Sequence, residues 1–354
     1  MESFSHNRLL SITLWFMIIF MTGYVLAIAE KFLIPLVLAL FLWYLVNMLA
    51  KRFGELRVGR WTLPAWLQFL LSGFVILLIV ILILNVLTGS ISAMIEAAPS
   101  YQEKLIKMIT ELEGWPRFIA MALPLNPITE TNIDGLVQNA AAEFGNFLVN
   151  IGLIAIYMFF LFMEQRYISG KLASVSPTEK QLNRLSKLLK EIDHDVQAYL
   201  GVKTFVSLLT SVISWVIMWL TGLEFAGFWA LMIFVLNFIP NLGSIIATIL
   251  PGIMALVQFE TVTPFFIILI GIGTVQFLIG NVMEPAMMGR SLNISPLVII
   301  ISLVAWGVLW GIPGMFLSIP ITMVAILIMY NFEQTRWVAL LLSRDGKLKH
   351  ESGD

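Results

Sequence analysis

Two charged side chains stand alone in a long apolar part of the sequence. Glu284 and Arg290 are the only charged residues between Glu260 and Glu333. A lone charge inside a membrane costs about 3 kcal/mol or more, so a partner of opposite sign is expected nearby. A membrane carboxylate of this kind can take up and release a proton or cation. We therefore predict that Glu284 pairs with Arg290 and acts in coupling or gating. The alternative is an interfacial carboxylate in water at a helix end.

A polar break interrupts the uncharged stretch from Phe225 to Phe259. It reads N-F-I-P-N-L-G-S, and its chemically useful residues are Asn237, Pro240, Asn241, Gly243 and Ser244. Proline removes a backbone donor, glycine permits a tight turn, and Asn and Ser add side-chain donors and acceptors. Each flanking arm has about 15 residues, which is short for a span. We predict a re-entrant hairpin with a polar tip; the alternative is a turn between two crossing helices.

A second break lies in the uncharged stretch from Ser291 to Phe332. It reads W-G-V-L-W-G-I-P-G-M, in which Gly311, Pro313 and Gly314 allow an unwound tip. Irregular backbone at membrane depth is tolerated only where it is buried in protein or lines a wet cavity. We therefore predict a second re-entrant hairpin. Glycines at this spacing also allow close packing of helices, which is the alternative explanation.

The apolar segment between the two breaks carries a polar stripe. At 100° per residue, Gly273, Gln276, Gly280 and Glu284 fall within about 80° of one helix face. A polar stripe on an apolar helix is expected to face the protein interior or water. We therefore add Gln276 and Asn281, which is next to Gly280, to the predicted substrate pathway.

Composition defines the setting of these residues. The chain has 354 residues, of which 59% are hydrophobic and 12% charged. A soluble domain has about 25% charged residues. Half that share cannot cover the surface of a water-soluble protein of this size, so the rest of the surface must face lipid. The net charge of −1 gives no signature of nucleic-acid binding. We predict an all-α polytopic membrane protein.

Catalytic and cofactor motifs are missing from the sequence. There is no cysteine, and none of the three histidines lies in an apolar stretch. The sequence also lacks the P-loop of ATPases and the H-E-x-x-H motif of zinc proteases. We therefore predict neither an enzyme nor a resident metal or cofactor.

Helices need about 20 apolar residues to cross a bilayer. Six segments qualify: 9–29, 32–50, 63–88, 147–163, 203–222 and 264–283. Lys and Arg concentrate in the loop 51–60, in 164–202 and after Glu333, whereas 91–146 is acidic. This asymmetry predicts that both termini are cytoplasmic and that 91–146 is external.

The predicted organisation has five parts. They are membrane helices over 1–90, an external and mostly helical segment over 91–146, a span with a cytoplasmic amphipathic helix over 147–202, a core with both breaks over 203–333, and a cytoplasmic tail over 334–354. In the core, an outward span precedes a hairpin entering from outside, and an inward span precedes a hairpin entering from inside. That order is typical of an inverted repeat.

Five motifs carry a resemblance that runs in order from about Phe32 to Leu341. They are Y-L-G-V-K at 199–203, N-F-I-P-N-L-G-S at 237–244, G-N-V-M-E-P-A-M-M-G-R-S-L at 280–292, S-P at 295–296, and W-G-V-L-W-G-I-P-G-M with S-I-P at 306–320. At these motifs the sequence resembles the autoinducer-2 exporter family of bacterial permeases. The resemblance implies a multi-span, homo-oligomeric transporter of the inner membrane. Some members are linked to export of autoinducer-2, a small polar furanone-derived signal used in quorum sensing. Others are linked to exchange of Na⁺ or Li⁺ for protons.

Three functions follow from these observations. The leading hypothesis is a secondary transporter or facilitator that exports a small, uncharged, polyhydroxylated solute without ATP hydrolysis, with a proton or Na⁺ as coupling ion. Amides, hydroxyls and free backbone groups at the tips suit such a ligand. The first alternative is a monovalent cation/proton antiporter, which requires a carboxylate near the midplane; Glu284 is close to the surface for that role. The second is a non-transporting membrane scaffold that uses 91–146 as its partner surface.

Overall fold

The computed structural model describes residues 2–55, 57–58, 61–111, 150–288 and 293–346. Their regular structure is helical apart from short β-pairings, chiefly β1 (Arg57–Val58) with β2 (Trp61–Thr62). The helices are α1 (Glu2–Ile28), α2 (Glu30–Glu55), α3 (Ala65–Glu111), α4 (Asn150–Gln165), α5 (Ile168–Val175), α6 (Glu179–Thr221), α7 (Ala226–Leu236), α8 (Leu242–Gln258), α9 (Thr263–Leu278), a π-helix (Ile279–Met283), α10 (Glu284–Met288), α11 (Pro296–Asn331) and α12 (Arg336–Leu342). The all-α prediction is confirmed.

Among the described residues, five helical segments are long and apolar enough to cross a membrane. They are Glu30–Glu55, Ala65–Ala97, Glu179–Thr221, Thr263–Met288 and Pro296–Asn331, the last of which is interrupted at Gly311. A sixth is available if α4 and α5 form one span, although they are bent by 62° at their junction. The sequence predicted a span at 147–163, and the bend lies beyond its end, between Gln165 and Ile168. Residues 147–149 of that span lie outside the described residues.

Large apolar side chains cover the outside of these helices. Phe20 in α1 is 78% exposed, and Val308 in α11 is 81% exposed. Water-soluble monomers rarely expose apolar surface on this scale. The exposed side chains are those that would contact lipid tails, as the low charge content predicted.

Helix α6 is longer than the sequence predicted. Ser176, Pro177 and Glu179 predict the start of a cytoplasmic helix, and the sequence predicts a separate span at 203–222. Instead α6 is one helix of 43 residues, and Thr178 rather than Ser176 accepts a hydrogen bond from a first-turn amide. Gly201 does not interrupt α6. A Cβ at Gly201 would lie 2.9 Å from Met48 Sδ, so glycine here serves close packing.

Helix α3 also continues past a predicted boundary, on the side that the sequence predicted to be external. Ser100 and Glu103 resemble a capping box and predict a new helix start, yet α3 continues through Pro99 to Glu111. The Ser100 hydroxyl donates to Ala97 O within the helix at 2.8 Å. The prediction of a new start was therefore wrong. Residues 112–146 of the predicted external segment lie outside the described residues.

The chain divides into two compact units. Unit 1 contains Met1–Leu45, Ile151–Tyr199 and Arg290–Asp354, and unit 2 contains Val46–Asn150 and Leu200–Gly289. In unit 1, Phe41 packs on Phe316 with ring centroids 5.2 Å apart, and α12 packs on α11. In unit 2, the core joins helices α6 to α9 through fully buried side chains: Met218, Ile233, Ala255, Ile268 and Ile272.

Candidate functional site

The first predicted break is the turn that joins α7 to α8. Asn237 ends α7, and Asn241 precedes α8 with a positive φ of 57°. The turn is stabilised locally: Gly243 N donates to Ile239 O at 3.1 Å, and Ser244 Oγ donates to Asn241 O at 2.9 Å. The structure therefore brings the five predicted tip residues of 237–244 together, with Asn241 exposed.

Gly243 allows the chain to reverse at this turn. A Cβ at Gly243 would lie 1.7 Å from Leu236 O, which no side chain can tolerate. Residues seven apart in a straight helix are separated by about 10 Å, so contact between these two requires α7 and α8 to fold back on each other. Glycine at this position is required by the close approach of the two arms.

The two open ends of the α7–α8 hairpin are tied together by Gln258. Its Nε2 donates to Gly222 O at 2.8 Å, and its Oε1 accepts from Glu224 N at 2.7 Å. Helix α3 adds two contacts: the Tyr101 hydroxyl donates to the Glu224 carboxylate, and Lys104 Nζ donates to Gln258 O at 3.3 Å. We call the side chains of Tyr101, Lys104, Glu224 and Gln258 the base clasp. Burial, then the hydrogen bond to Glu224, raise the pKa of Tyr101.

The second predicted break lies inside α11. Gly311 has φ 62° and ψ −141°, a conformation that almost only glycine adopts. Beyond it, a Cβ at Gly314 would lie 2.0 Å from Trp306 O. Residues eight apart are separated by about 12 Å along a straight helix, so the chain turns sharply at Gly311. Pro313 is half-buried and Gly314 is buried at this turn.

The turn in α11 is held to other parts of unit 1. Trp310, 5% exposed, donates through Nε1 to Leu26 O in α1 at 3.0 Å. At the start of α11, Ser295 N donates to Leu342 O at 3.0 Å, and Ile294 forms a β-bridge with Ser343. The predicted tail 334–354 therefore begins with a helix that packs on α11; its residues 347–354 lie outside the described residues.

Glu284 pairs with Lys203, which is not among the residues predicted from the sequence. Lys203 Nζ donates to Glu284 Oε1 at 2.6 Å. The Lys203 side chain is 10% exposed and that of Glu284 is 21% exposed, so both charges have lost most of their contact with solvent. The predicted partner, Arg290, lies outside the described residues. Glu284 thus takes its counter-ion from α6, and it is not a freely hydrated carboxylate at a helix end.

A signal for Lys203 was present in the sequence. Lys203 is the first residue of the predicted span 203–222 and lies in the Y-L-G-V-K motif. A cation at the start of one span and a carboxylate at the end of the next antiparallel span lie at the same level of the membrane. Arg290 was predicted as the partner because it is near Glu284 in the sequence, whereas the two residues of an antiparallel pair are distant in sequence.

The remaining predicted residues, Gln276 and Asn281, lie in the helical segment before Glu284. Gln276 Nε2 is buried in α9 and has no hydrogen-bond partner among the described residues. Asn281 is exposed, and its Nδ2 donates to Phe277 O at 3.2 Å. Asn281 lies in the π-helix 279–283, an irregularity that often marks functional sites in helices.

Several apolar spans, helices broken at glycine and proline, and a largely buried ion pair are together typical of polytopic membrane transport proteins. Comparison with known proteins defines the family. Residues 10–334 match the family described as "AI-2E family transporter". The chain belongs to this family of transporters, which is not an enzyme family.

Three bacterial relatives illustrate the match. The AI-2 transport protein TqsA of Escherichia coli (strain K12) is 27% identical over 320 residues, covering 89% of this chain and 90% of TqsA. A Haemophilus influenzae protein is 28% identical over 344 residues, covering 95% of this chain and 96% of its own. A Borreliella burgdorferi protein is 30% identical over 248 residues, covering 68% and 67%. The last two also carry transport in their names.

Proposed function

We propose that this chain exports a small, uncharged, polar solute similar to autoinducer-2, by secondary transport or facilitation without ATP hydrolysis. The α7–α8 hairpin is the observation that carries the proposal. Helix α7 has 11 residues, about 16 Å, against a hydrocarbon core of about 30 Å. Gln258 ties the two ends of the hairpin together, so the chain enters and leaves on one side. Such a re-entrant tip exposes backbone and amide groups to a ligand.

Each of the two turns contains residues that we expect to contact the solute. We expect Asn237, Pro240, Asn241, Gly243 and Ser244 to expose polar groups to the solute at the α7–α8 tip. We propose the turn at Gly311 as a second re-entrant tip, at which Gly311, Pro313 and Gly314 expose the backbone in the same way. The likeness of the two turns supports an inverted repeat, because each places the carbonyl of one arm against a glycine of the other. The name of TqsA supports autoinducer-2 as the first solute to test.

The Lys203–Glu284 pair is proposed as the coupling or gating element. A carboxylate that is held against an ammonium and shielded from solvent responds to protonation by releasing its partner. Protonation of Glu284 would then free Lys203 and loosen α10 from α6. The partners of the protein in this proposal are the solute, a proton or Na⁺, the bilayer and further copies of the same chain.

The decisive experiment is a transport assay in proteoliposomes. Vesicles containing wild-type protein are loaded with autoinducer-2, and efflux is followed with and without an imposed pH gradient. We expect efflux above that of protein-free vesicles, and we expect Glu284→Gln to lose the gradient-dependent part. Glu164→Gln is the matched control, because Glu164 is half exposed and pairs with Lys171 at the surface. Wild-type efflux equal to that of protein-free vesicles would refute autoinducer-2 as the substrate.

A second candidate function is a monovalent cation/proton antiporter, and the shielded Glu284 favours it. In the same vesicles, uptake of ²²Na⁺ driven by the pH gradient measures this activity. Sodium exchange that requires Glu284, in the absence of autoinducer-2 efflux, would replace the first proposal by the second.

The proposed location is the bacterial inner membrane with both termini cytoplasmic and 91–146 outside. Because the chain contains no cysteine, single cysteines report topology directly. We expect an impermeant maleimide added to intact cells to label Lys104→Cys and not Arg184→Cys. The reverse labelling pattern would overturn the orientation.

A further inference from the structure

One face of α6 is polar where a membrane helix is expected to be apolar. Lys203, Ser207, Thr210, Ser211 and Ser214 are all buried in unit 2. At 100° per residue they lie within an arc of about 100°, and they extend over about 16 Å of the helix. The opposite face of the same segment is apolar and exposed, with Phe205, Leu208 and Val212.

Only some of these hydroxyls form hydrogen bonds within the described part of the protein. Thr210 Oγ1 donates to Val206 O at 2.8 Å, and Ser211 Oγ donates to Ala230 O at 2.6 Å. Ser207 and Ser214 are 1% and 0% exposed, yet neither hydroxyl has a protein partner in the described part of the chain. A buried hydroxyl without a partner destabilises the fold, and serines in helices can relieve this cost by bonding to the preceding turn.

Helix α9 places another unpaired group at the same level. Two contacts define how α6 and α9–α10 run antiparallel: Lys203 meets Glu284, and Ile217 Cγ2 would lie 3.3 Å from a Cβ at Gly271. Interpolation between these contacts puts Gln276 level with the segment from Ser211 to Ser214. Its buried Nε2 lacks a partner among the described residues, as does Thr204 Oγ1 near the ion pair. We call Thr204, Ser207, Ser214 and Gln276 the polar seam.

We propose that the polar seam binds the hydroxyl or carbonyl groups of the transported solute. This inference rests on the proposed function, in which the solute is uncharged and polar. Serine and threonine hydroxyls both donate and accept, and the Gln276 amide donates, so the seam matches a neutral polyhydroxylated molecule. It does not suit an ion, because the adjacent Lys203 and Glu284 neutralise each other. The bound solute supplies the hydrogen bonds that the fold leaves unmade.

The first test measures stability and transport together. Removing an unpaired hydroxyl should not destabilise the protein, so Ser207→Ala and Ser214→Ala should melt at or above the wild-type temperature. We expect each to raise the KM for autoinducer-2 about tenfold, as the loss of one ligand hydrogen bond would. Thr210→Val is the matched control: its hydroxyl is already bonded, so it should lower the melting temperature and leave KM unchanged.

The second test measures whether water-soluble molecules and autoinducer-2 reach the seam. Ser207→Cys and Ser214→Cys are exposed in membranes to a small water-soluble thiosulfonate, with Ser72→Cys as control. Ser72 is equally buried, but its hydroxyl is bonded to Gln68 O at 2.7 Å. We expect modification at 207 and 214, none at 72, and protection by autoinducer-2.

The outcomes separate this inference from the proposed function. Modification without protection, in a protein that does not transport autoinducer-2, would support the seam and refute the proposed substrate. An absence of modification at both serines would overturn the seam. Alanine variants that lose only gradient-driven efflux and keep normal solute exchange would also overturn it, because the seam would then carry protons.

Discussion

The Lys203–Glu284 ion pair allows a quantitative prediction. Replacing Glu284 by alanine leaves the Lys203 ammonium, only 10% exposed, without the carboxylate that it contacts at 2.6 Å. Breaking a buried ion pair by removing one partner costs about 3–5 kcal/mol. Glu284→Ala should therefore lower the free energy of unfolding by about that amount.

The loss in the free energy of unfolding should depend on which polar or charged groups remain after the substitution. Glu284→Gln keeps an oxygen that can accept from the Lys203 ammonium but loses the opposite charge, so we expect a smaller loss than for Glu284→Ala, about 2 kcal/mol. Lys203→Met should cost less than Glu284→Ala, because the remaining Glu284 is 21% exposed and better hydrated. The double variant Lys203→Met/Glu284→Ala contains neither charge and should lie within about 1 kcal/mol of wild type.

Equilibrium unfolding in mixed micelles, followed by tryptophan fluorescence, measures these differences in a double-mutant cycle. Arg290→Gln, alone and combined with Glu284→Ala, tests the partner that the sequence suggested. We expect the effects of Arg290→Gln and Glu284→Ala to add. Additive effects of Lys203→Met and Glu284→Ala, together with recovery of stability in the Arg290 double variant, would refute the pairing described above.

Three further predictions concern the hairpins. Gly243→Ala should prevent normal assembly of its hairpin and lower expression sharply, whereas Gly273→Ala, whose Cβ would lie 3.8 Å from its nearest neighbour, should express normally; size-exclusion chromatography compares the two. Trp310→Phe removes a hydrogen bond to α1 and should reduce stability by about 1 kcal/mol in thermal unfolding. Tyr101 has a raised pKa, so the folded state favours its protonated hydroxyl and the benefit is complete below about pH 10 and lost as pH rises through the folded pKa. Tyr101→Phe should therefore lower the melting temperature at pH 8 and weaken its dependence on alkaline pH; an unchanged melting temperature at pH 8 would show that the contact between Tyr101 and Glu224 adds no stability.

The breaks in the helices could be predicted because their causes are local. Pro240, Gly243 and Gly311 limit or extend the backbone angles of their own segments, and the sequence shows this directly. Spans could be predicted for a similar reason, since apolar length is read from the chain alone.

Helix continuity and the ion pair could not be read in the same way. Ser100 and Ser176 have the side chains of helix caps, but such preferences are weak and the surrounding helix or a neighbouring Thr178 overrides them. The partner of Glu284 depends on which helix packs beside it. Lys203 is 81 residues away from Glu284, so the tertiary structure is needed to bring the two side chains into contact.

The base clasp fixes one end of the α7–α8 hairpin. Gln258, Glu224, Tyr101 and Lys104 anchor one end, whereas the hydrogen bonds described at the tip lie within the turn itself. A small rotation at an anchored end produces its largest displacement at the far end. An arm of 17 residues, about 25 Å long, that rotates by about 10° at the clasp moves its tip by about 4 Å, which is comparable to the width of a small solute.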